Sequence, residues 1–134
     1  MSKKPASLQD RAMAELRAFG AAYPGAHSKS PWPGHDDLAV NNKTFAYLSL
    51  EGEPFHLSVK LPFTGDEARK LPYARPAEYG LGKSGWVVFE PTADQMPPMR
   101  QLKSWLDESY RAQAPKKLSA QIPENLVAQI RKDE

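Results

Sequence analysis

Residues Leu38–Leu61 read LAVNNKTFAYLSLEGEPFHLSVKL, and the way their apolar positions pair decides the fold. Leu38 and Val40 alternate, the runs Thr44 to Leu50 and Phe55 to Leu61 alternate again, and polar breaks separate the three. Period-two alternation bounded by turn residues marks half-buried strands. Paired strands share a face only when the turn between them has a compatible length. A four-residue turn at Glu51-Gly52-Glu53-Pro54 sets Leu50 against Phe55, Leu48 against Leu57, Ala46 against Val59 and Thr44 against Leu61, so one face is almost wholly apolar. A three-residue turn at Asn41-Asn42-Lys43, with an asparagine in the left-handed conformation, brings Val40 opposite Thr44 and Leu38 opposite Ala46 onto that same face; a two-residue turn would swap the faces.

The other face of this meander then carries Phe45, Tyr47 and Ser49 opposite Lys60, Ser58 and His56. Aromatics, hydroxyls, a cation and an imidazole together are unlike a plain solvated face, and this is the candidate functional surface. Tyr79 and Lys83 at its rim and Trp86 on the sheet complete the set, offering rings for stacking and cations for phosphates. The alternative is that Phe45, Tyr47 and Trp86 pack beneath the loop at 72–83 or a helix as a second small core.

Working outward, Ser7 and Asp10 form a capping box for a helix from Leu8 to Phe19 or Gly20, the glycine serving as its stop. Ala26 to Ser30, between two proline-rich turns, suits a short edge strand. Thr64 and Glu67 predict a capped short helix before Pro72. A final helix starts at Thr92 or Asp94, takes Pro97 and Pro98 in its first turn and runs to about Ala112. Pro123 to Arg131 suits a small C-terminal helix. Gly80, Gly82 and Gly85 match G-x-G-x-x-G, but they lead into the β-type run Trp86 to Phe89 instead of opening a helix, which excludes a dinucleotide cradle. Their expected role is a sharp turn that delivers Trp86 to the sheet.

Several of these segments, in this order, resemble the MmcQ/YjbR-like family of small bacterial proteins: Pro33-Gly34-His35-Asp36, Lys43 to Ser49, Leu57 to Lys60, Tyr79 to Lys83, Gly85-Trp86-Val87, and Trp105 to Tyr110. The resemblance spans roughly residues 8 to 118. It implies an α+β fold like that of the secretion chaperones, with about five antiparallel strands in the order helix, three strands, helix, two strands, helix. One strand is left to place, at 26–30 or near 75–79. Residues 1–118 are expected to form one domain and 119–134 a C-terminal extension. The family brings a suggested DNA-binding mode and a hint of small-molecule handling, without a catalytic motif to transfer.

The 134 residues suit one domain, and 13 prolines scattered between apolar runs make it loop-rich. The absence of cysteine excludes disulfides, thiol chemistry and cysteine-ligated metals. No apolar run approaches a membrane span, and the lysines near the start lack an apolar stretch behind them, so a soluble cytoplasmic protein is expected. A net charge of +2 and an isoelectric point near 8.8 permit a nucleic-acid partner without requiring one. The only clustered metal-ligand types, His35-Asp36-Asp37, match no metal-binding spacing and read as a hydrogen-bonded turn. Ser58 and His56 stand roughly 7 Å apart on one strand face, too far for a nucleophile and its base. The expectation is a non-enzymatic binding module without cofactor or metal. DNA is the first candidate ligand, and a small molecule, a peptide or a chaperone-like protein partner are the alternatives. The basic residues that motivate DNA are Lys43, Lys60, Lys70, Arg75, Lys83, Lys116 and Lys117.

Overall fold

The computed structural model describes residues 7–29, 37–77 and 85–122. The predicted C-terminal helix at 123–131 and the turn at 31–34 lie outside these residues, as do Tyr79, Gly80, Gly82 and Lys83. The elements are α1 (Leu8–Ala21), β1 (Ala26–Lys29), β2 (Asp37–Val40), β3 (Lys43–Leu48), β4 (Leu57–Lys60), α2 (Gly65–Ala68), β5 (Ala74–Pro76), β6 (Trp86–Phe89), α3 (Met99–Gln113) and α4 (Lys116–Ser119). The strands form one antiparallel sheet in the order β1-β2-β3-β4-β6-β5. Both places offered for the unassigned strand are strands, so the sheet has six, one at each edge more than the core meander requires.

Of the pairs predicted across residues 51–54, Ala46 with Val59 and Leu48 with Leu57 are observed, while Leu50, Phe55 and Leu61 lie outside the paired strands. The first hairpin keeps Leu38 opposite Ala46 by a different device, and Val40 meets Lys43 instead of Thr44, which pairs with Ala39. Its turn has two residues, Asn41 and Asn42, both left-handed with φ of 51° and 66°, the conformation a tight hairpin demands. The parity this would break is restored by a bulge at Phe45, because Leu38 pairs with Ala46 while Ala39 pairs with Thr44. Leu38 therefore meets Ala46 as expected, and Phe45 is turned to the other side from its predicted one.

Leu38, Val40, Ala46, Leu48, Leu57, Val59, Val87 and Phe89 make the apolar face, buried beneath α1 and α3. Trp105 of α3 stacks on Phe89 with centroids 4.0 Å apart, and Tyr110 meets Phe45 edge-on at 5.4 Å. The capping box of Ser7 and Asp10 forms and starts α1. Gly20 does not end that helix. It lies within it, where an added Cβ would come within 2.5 Å of Leu38 Cδ1 and 2.9 Å of Leu106 Cδ2, so its role is close approach of α1 to the sheet and α3. Pro98 is the N-cap of α3, with Pro97 before it, and a separate 3-10 turn occupies Ala93–Gln95. Two prolines are accommodated more easily ahead of a helix than inside its first turn.

The polar residues of α3 are tied into the sheet. Ser109, fully buried, receives a hydrogen bond from the Lys60 backbone N–H (2.8 Å) and donates to the Phe45 carbonyl (2.5 Å). Its hydroxyl is thus spliced into the β3–β4 ladder beside the bulge, serving two backbone groups at once. Asp107 accepts from the Tyr23 hydroxyl (2.6 Å) and from Arg111 Nε (2.8 Å). Burial, reinforced by the Asp107 carboxylate, pushes the Tyr23 phenol well above its ordinary range. Tyr110 stacks on Tyr23 and donates to the Pro24 carbonyl at 2.5 Å. Glu108 accepts from the Phe63 and Thr64 backbone N–H groups and from the Thr64 hydroxyl. The predicted Thr64–Glu67 box is therefore absent; Thr64 turns to Glu108, and Glu67 pairs with Lys70 at 3.2 Å. Among the described residues no helix is long and apolar enough to cross a membrane.

Candidate ligand-binding face of the sheet

The second face is set by strand parity. Tyr47 pairs with Ser58, Ser58 with Val88 and Val88 with Arg75; one row along, Lys60 pairs with Trp86. The described helices all pack on the first face: α1 at Leu38, α2 at Val87, α3 at Phe89, and α4 through Leu118 beside Val40. Gly85 holds φ at +92°, a conformation that suits glycine, and its carbonyl accepts from the Leu61 N–H at 2.9 Å, which starts β6 and sets Trp86 opposite Lys60.

Tyr47 and Trp86 meet across β4 with ring centroids 5.4 Å apart, closing over the small side chain of Ser58. This contact buries Ser58, and the centre of the face is not bare: Trp86 and Val88 are each 5% exposed and Ala39 is fully buried. Half-buried side chains surround that centre, namely Tyr47, Lys60 and His56. The Lys60 ammonium has no hydrogen-bond or ion-pair partner among the described residues. Its backbone is the group held by Ser109, so a buried hydroxyl of α3 fixes the strand end that presents it.

Four strand positions further from Lys60, the character of the face changes. His56 Nδ1 lies 3.4 Å from Glu90 Oε2, and Arg75 donates to Glu90 Oε1 at 2.6 Å. Burial alone would raise the Glu90 carboxyl. The hydrogen bonds and positive charge of Arg75 and His56 outweigh it and hold the group below the usual carboxylate range. The ladder continues past β4 through Ser49, whose N–H donates to the His56 carbonyl and whose Oγ accepts from the His56 N–H, both at 3.1 Å.

Of the residues expected on this face, Tyr47, His56, Lys60 and Trp86 are brought together. Phe45 is not. The bulge buries it completely against Tyr110, where no ligand on the second face reaches it. Tyr79 and Lys83 lie outside the described residues. Glu90 belongs to the face and escaped the reading, although Trp86, Val88 and Glu90 share strand parity, a signal that points to it. Of the other basic residues, Arg75 lies on the face beside Val88, whereas Lys70 is paired with Glu67 just after α2, Lys116 and Lys117 belong to α4, and Lys43 stands opposite Val40 at the hairpin end. Of the clustered His35-Asp36-Asp37, only Asp37 is described; it is buried, and its Oδ1 accepts from the Leu48 N–H at 3.0 Å.

A comparison with curated proteins gives no match. Among solved structures, the crystal structure of Deinococcus radiodurans protein DR2400, with the family-model domain DUF419, has the same fold at a TM-score of 0.62 and 21% identity, over 88% of this chain and 86% of that one. The YjbR family model matches residues 21–112. That match runs from the end of α1 nearly to the end of α3 and takes in the whole six-stranded sheet, so the chain belongs to the YjbR family.

Proposed function

We propose that this chain is a non-catalytic binding module whose ligand is a nucleic acid held through its phosphates on the second face of the sheet. The observation that carries the reading is Lys60: an ammonium with no partner among the described residues, directly opposite Trp86 on a face that no described helix covers. Its neighbours support the same use. Tyr47 is only half-buried, and aromatic side chains beside a cation favour single-stranded bases and phosphates without sequence preference. Titration with a single-stranded oligonucleotide at two salt concentrations tests this. Binding should weaken steeply with salt, and Lys60→Ala should lower the log-log salt slope by about 0.7, the value for one phosphate contact on a single strand. Absence of binding at low salt would end the reading.

A second reading, a small anionic molecule in place of a nucleic acid, is supported by the burial of Trp86, since a base cannot stack on a covered ring. A mononucleotide that binds as tightly as the oligonucleotide favours it. Affinity that rises with strand length favours the first.

A further inference from the structure

At the end of β4 away from Lys60, α1 and the turn that precedes the strand are tied together at two points. Asp10 Oδ1 accepts from the Gly52 N–H at 3.0 Å, and Arg17 donates to the Ser49 carbonyl at 2.9 Å. Between these ties lies a cleft of about 160 Å³ lined by Asp10, Arg11, Met13, Ala14, Arg17 and Glu51. Asp10, Met13, Ala14 and Arg17 stand at the i, i+3, i+4 and i+7 positions of one helix face, so α1 supplies one wall and the turn the other.

The charged groups here have two kinds of role. Asp10 and Arg17 hold the turn to the helix, and Glu53 accepts from the Leu50 N–H at 2.7 Å and closes the turn on itself. Arg11 and Glu51 have no such duty. Both are exposed, and neither side chain has a hydrogen-bond or ion-pair partner among the described residues. Although opposite in sign and set along one cleft, they do not pair with each other, so a gap separates them. A molecule that carries both charges in reverse completes the attraction. Met13, 4% exposed, gives the cleft an apolar floor.

We infer that this cleft is a binding site for a small zwitterion, a free α-amino acid with a short apolar side chain. Arg11 takes the carboxylate, which its planar guanidinium matches, Glu51 takes the ammonium, and the side chain lies toward Met13 and Ala14. The volume is well below the roughly 300–1,000 Å³ of sites for drug-sized ligands, which suits one amino acid and not a longer peptide. One available charge of each sign also sets the cleft apart from the Lys60 end of the sheet, which offers a cation alone. The two ties fix the walls before the ligand arrives, so little ordering opposes binding.

Amide chemical shifts of the full chain, followed as L-valine is added, provide the test. The Arg11, Ala14, Glu51 and Gly52 amides should shift together with a dissociation constant on the order of 1–10 mM, weak because both protein charges are solvent-exposed. Isobutylamine and isovalerate, which each keep one of valine's two charges, should bind roughly tenfold more weakly. Arg11→Ala and Glu51→Gln should each weaken valine binding roughly tenfold. Neither breaks a described side-chain contact, so the rest of the spectrum should stay in place. Arg100→Ala, which removes an exposed cation from α3 instead, should bind valine as wild type does. No shift at these amides up to about 50 mM valine, equal affinity for valine and either one-charge ligand, or undiminished binding by Arg11→Ala or Glu51→Gln overturns the inference. None of these outcomes bears on the oligonucleotide titration at Lys60.

Discussion

The two faces of the sheet use polar side chains in opposite ways. On the helix-covered face, each polar residue that α3 turns inward is engaged: Asp107 with Tyr23 and Arg111, Ser109 with two backbone groups, Tyr110 with the Pro24 carbonyl. Such groups are there because a buried polar atom without a partner costs about 1–3 kcal/mol. On the second face Lys60 carries a full charge that no described residue answers. The contrast divides the segments that carry the resemblance to the family. The Trp105 to Tyr110 segment is accounted for by folding, whereas the Leu57 to Lys60 and Gly85 to Val87 segments also build a surface.

Substitutions on the two faces should therefore separate stability from binding. Ser109→Ala sharpens the comparison most. It leaves the Lys60 N–H and the Phe45 carbonyl without their bridge in a fully buried place, and a loss of about 2–4 kcal/mol is expected in urea unfolding. A loss below 0.5 kcal/mol would mean that the strands close the gap unaided. Next, Tyr23→Phe removes the donor to Asp107 and should cost about 1–2 kcal/mol at neutral pH. The Tyr23 phenol is raised in the folded state, so its contribution is fully present below the unfolded tyrosine value near 10 and is lost as pH rises beyond it. Wild type should accordingly lose stability in alkali more steeply than the variant, as thermal melts at pH 9 and 11 will show. Lys60→Ala should change stability least, by under about 0.5 kcal/mol, since it breaks no described contact of the side chain. A large destabilisation there would make Lys60 a structural residue and remove the distinction between the faces.

The local architecture was legible because its signals are short-range. Apolar alternation across Thr44–Leu61 located both long strands and their register, and Ser7 with Asp10 marked the start of α1. Gly20 misled for a physical reason: a glycine near a helix end resembles a stop, and only the positions of Leu38 and Leu106 show that it is needed for close packing. The Thr64 box failed likewise, because Glu108, 44 residues away, competes for the same donors.

The site was half legible. Tyr47, His56, Lys60 and Trp86 share a face by parity, which is a property of the chain itself once the turn at 51–54 is set. Phe45 and Glu90 were not placed by that rule. A bulge is an exception to parity that local sequence barely signals, and here it is held by Ser109 reaching in from α3, so Phe45 is turned into the core by a residue 64 positions away. Glu90 became part of the face when β6 inserted between β4 and β5 and brought it to His56 and Arg75. The sequence by itself determined which segments are strands and which positions alternate, because alternation and turn chemistry act within a few residues. Where the alternation is broken, and which charges meet across strands distant in the chain, was decided by the tertiary structure, because those outcomes depend on helix-to-sheet packing that no local pattern carries.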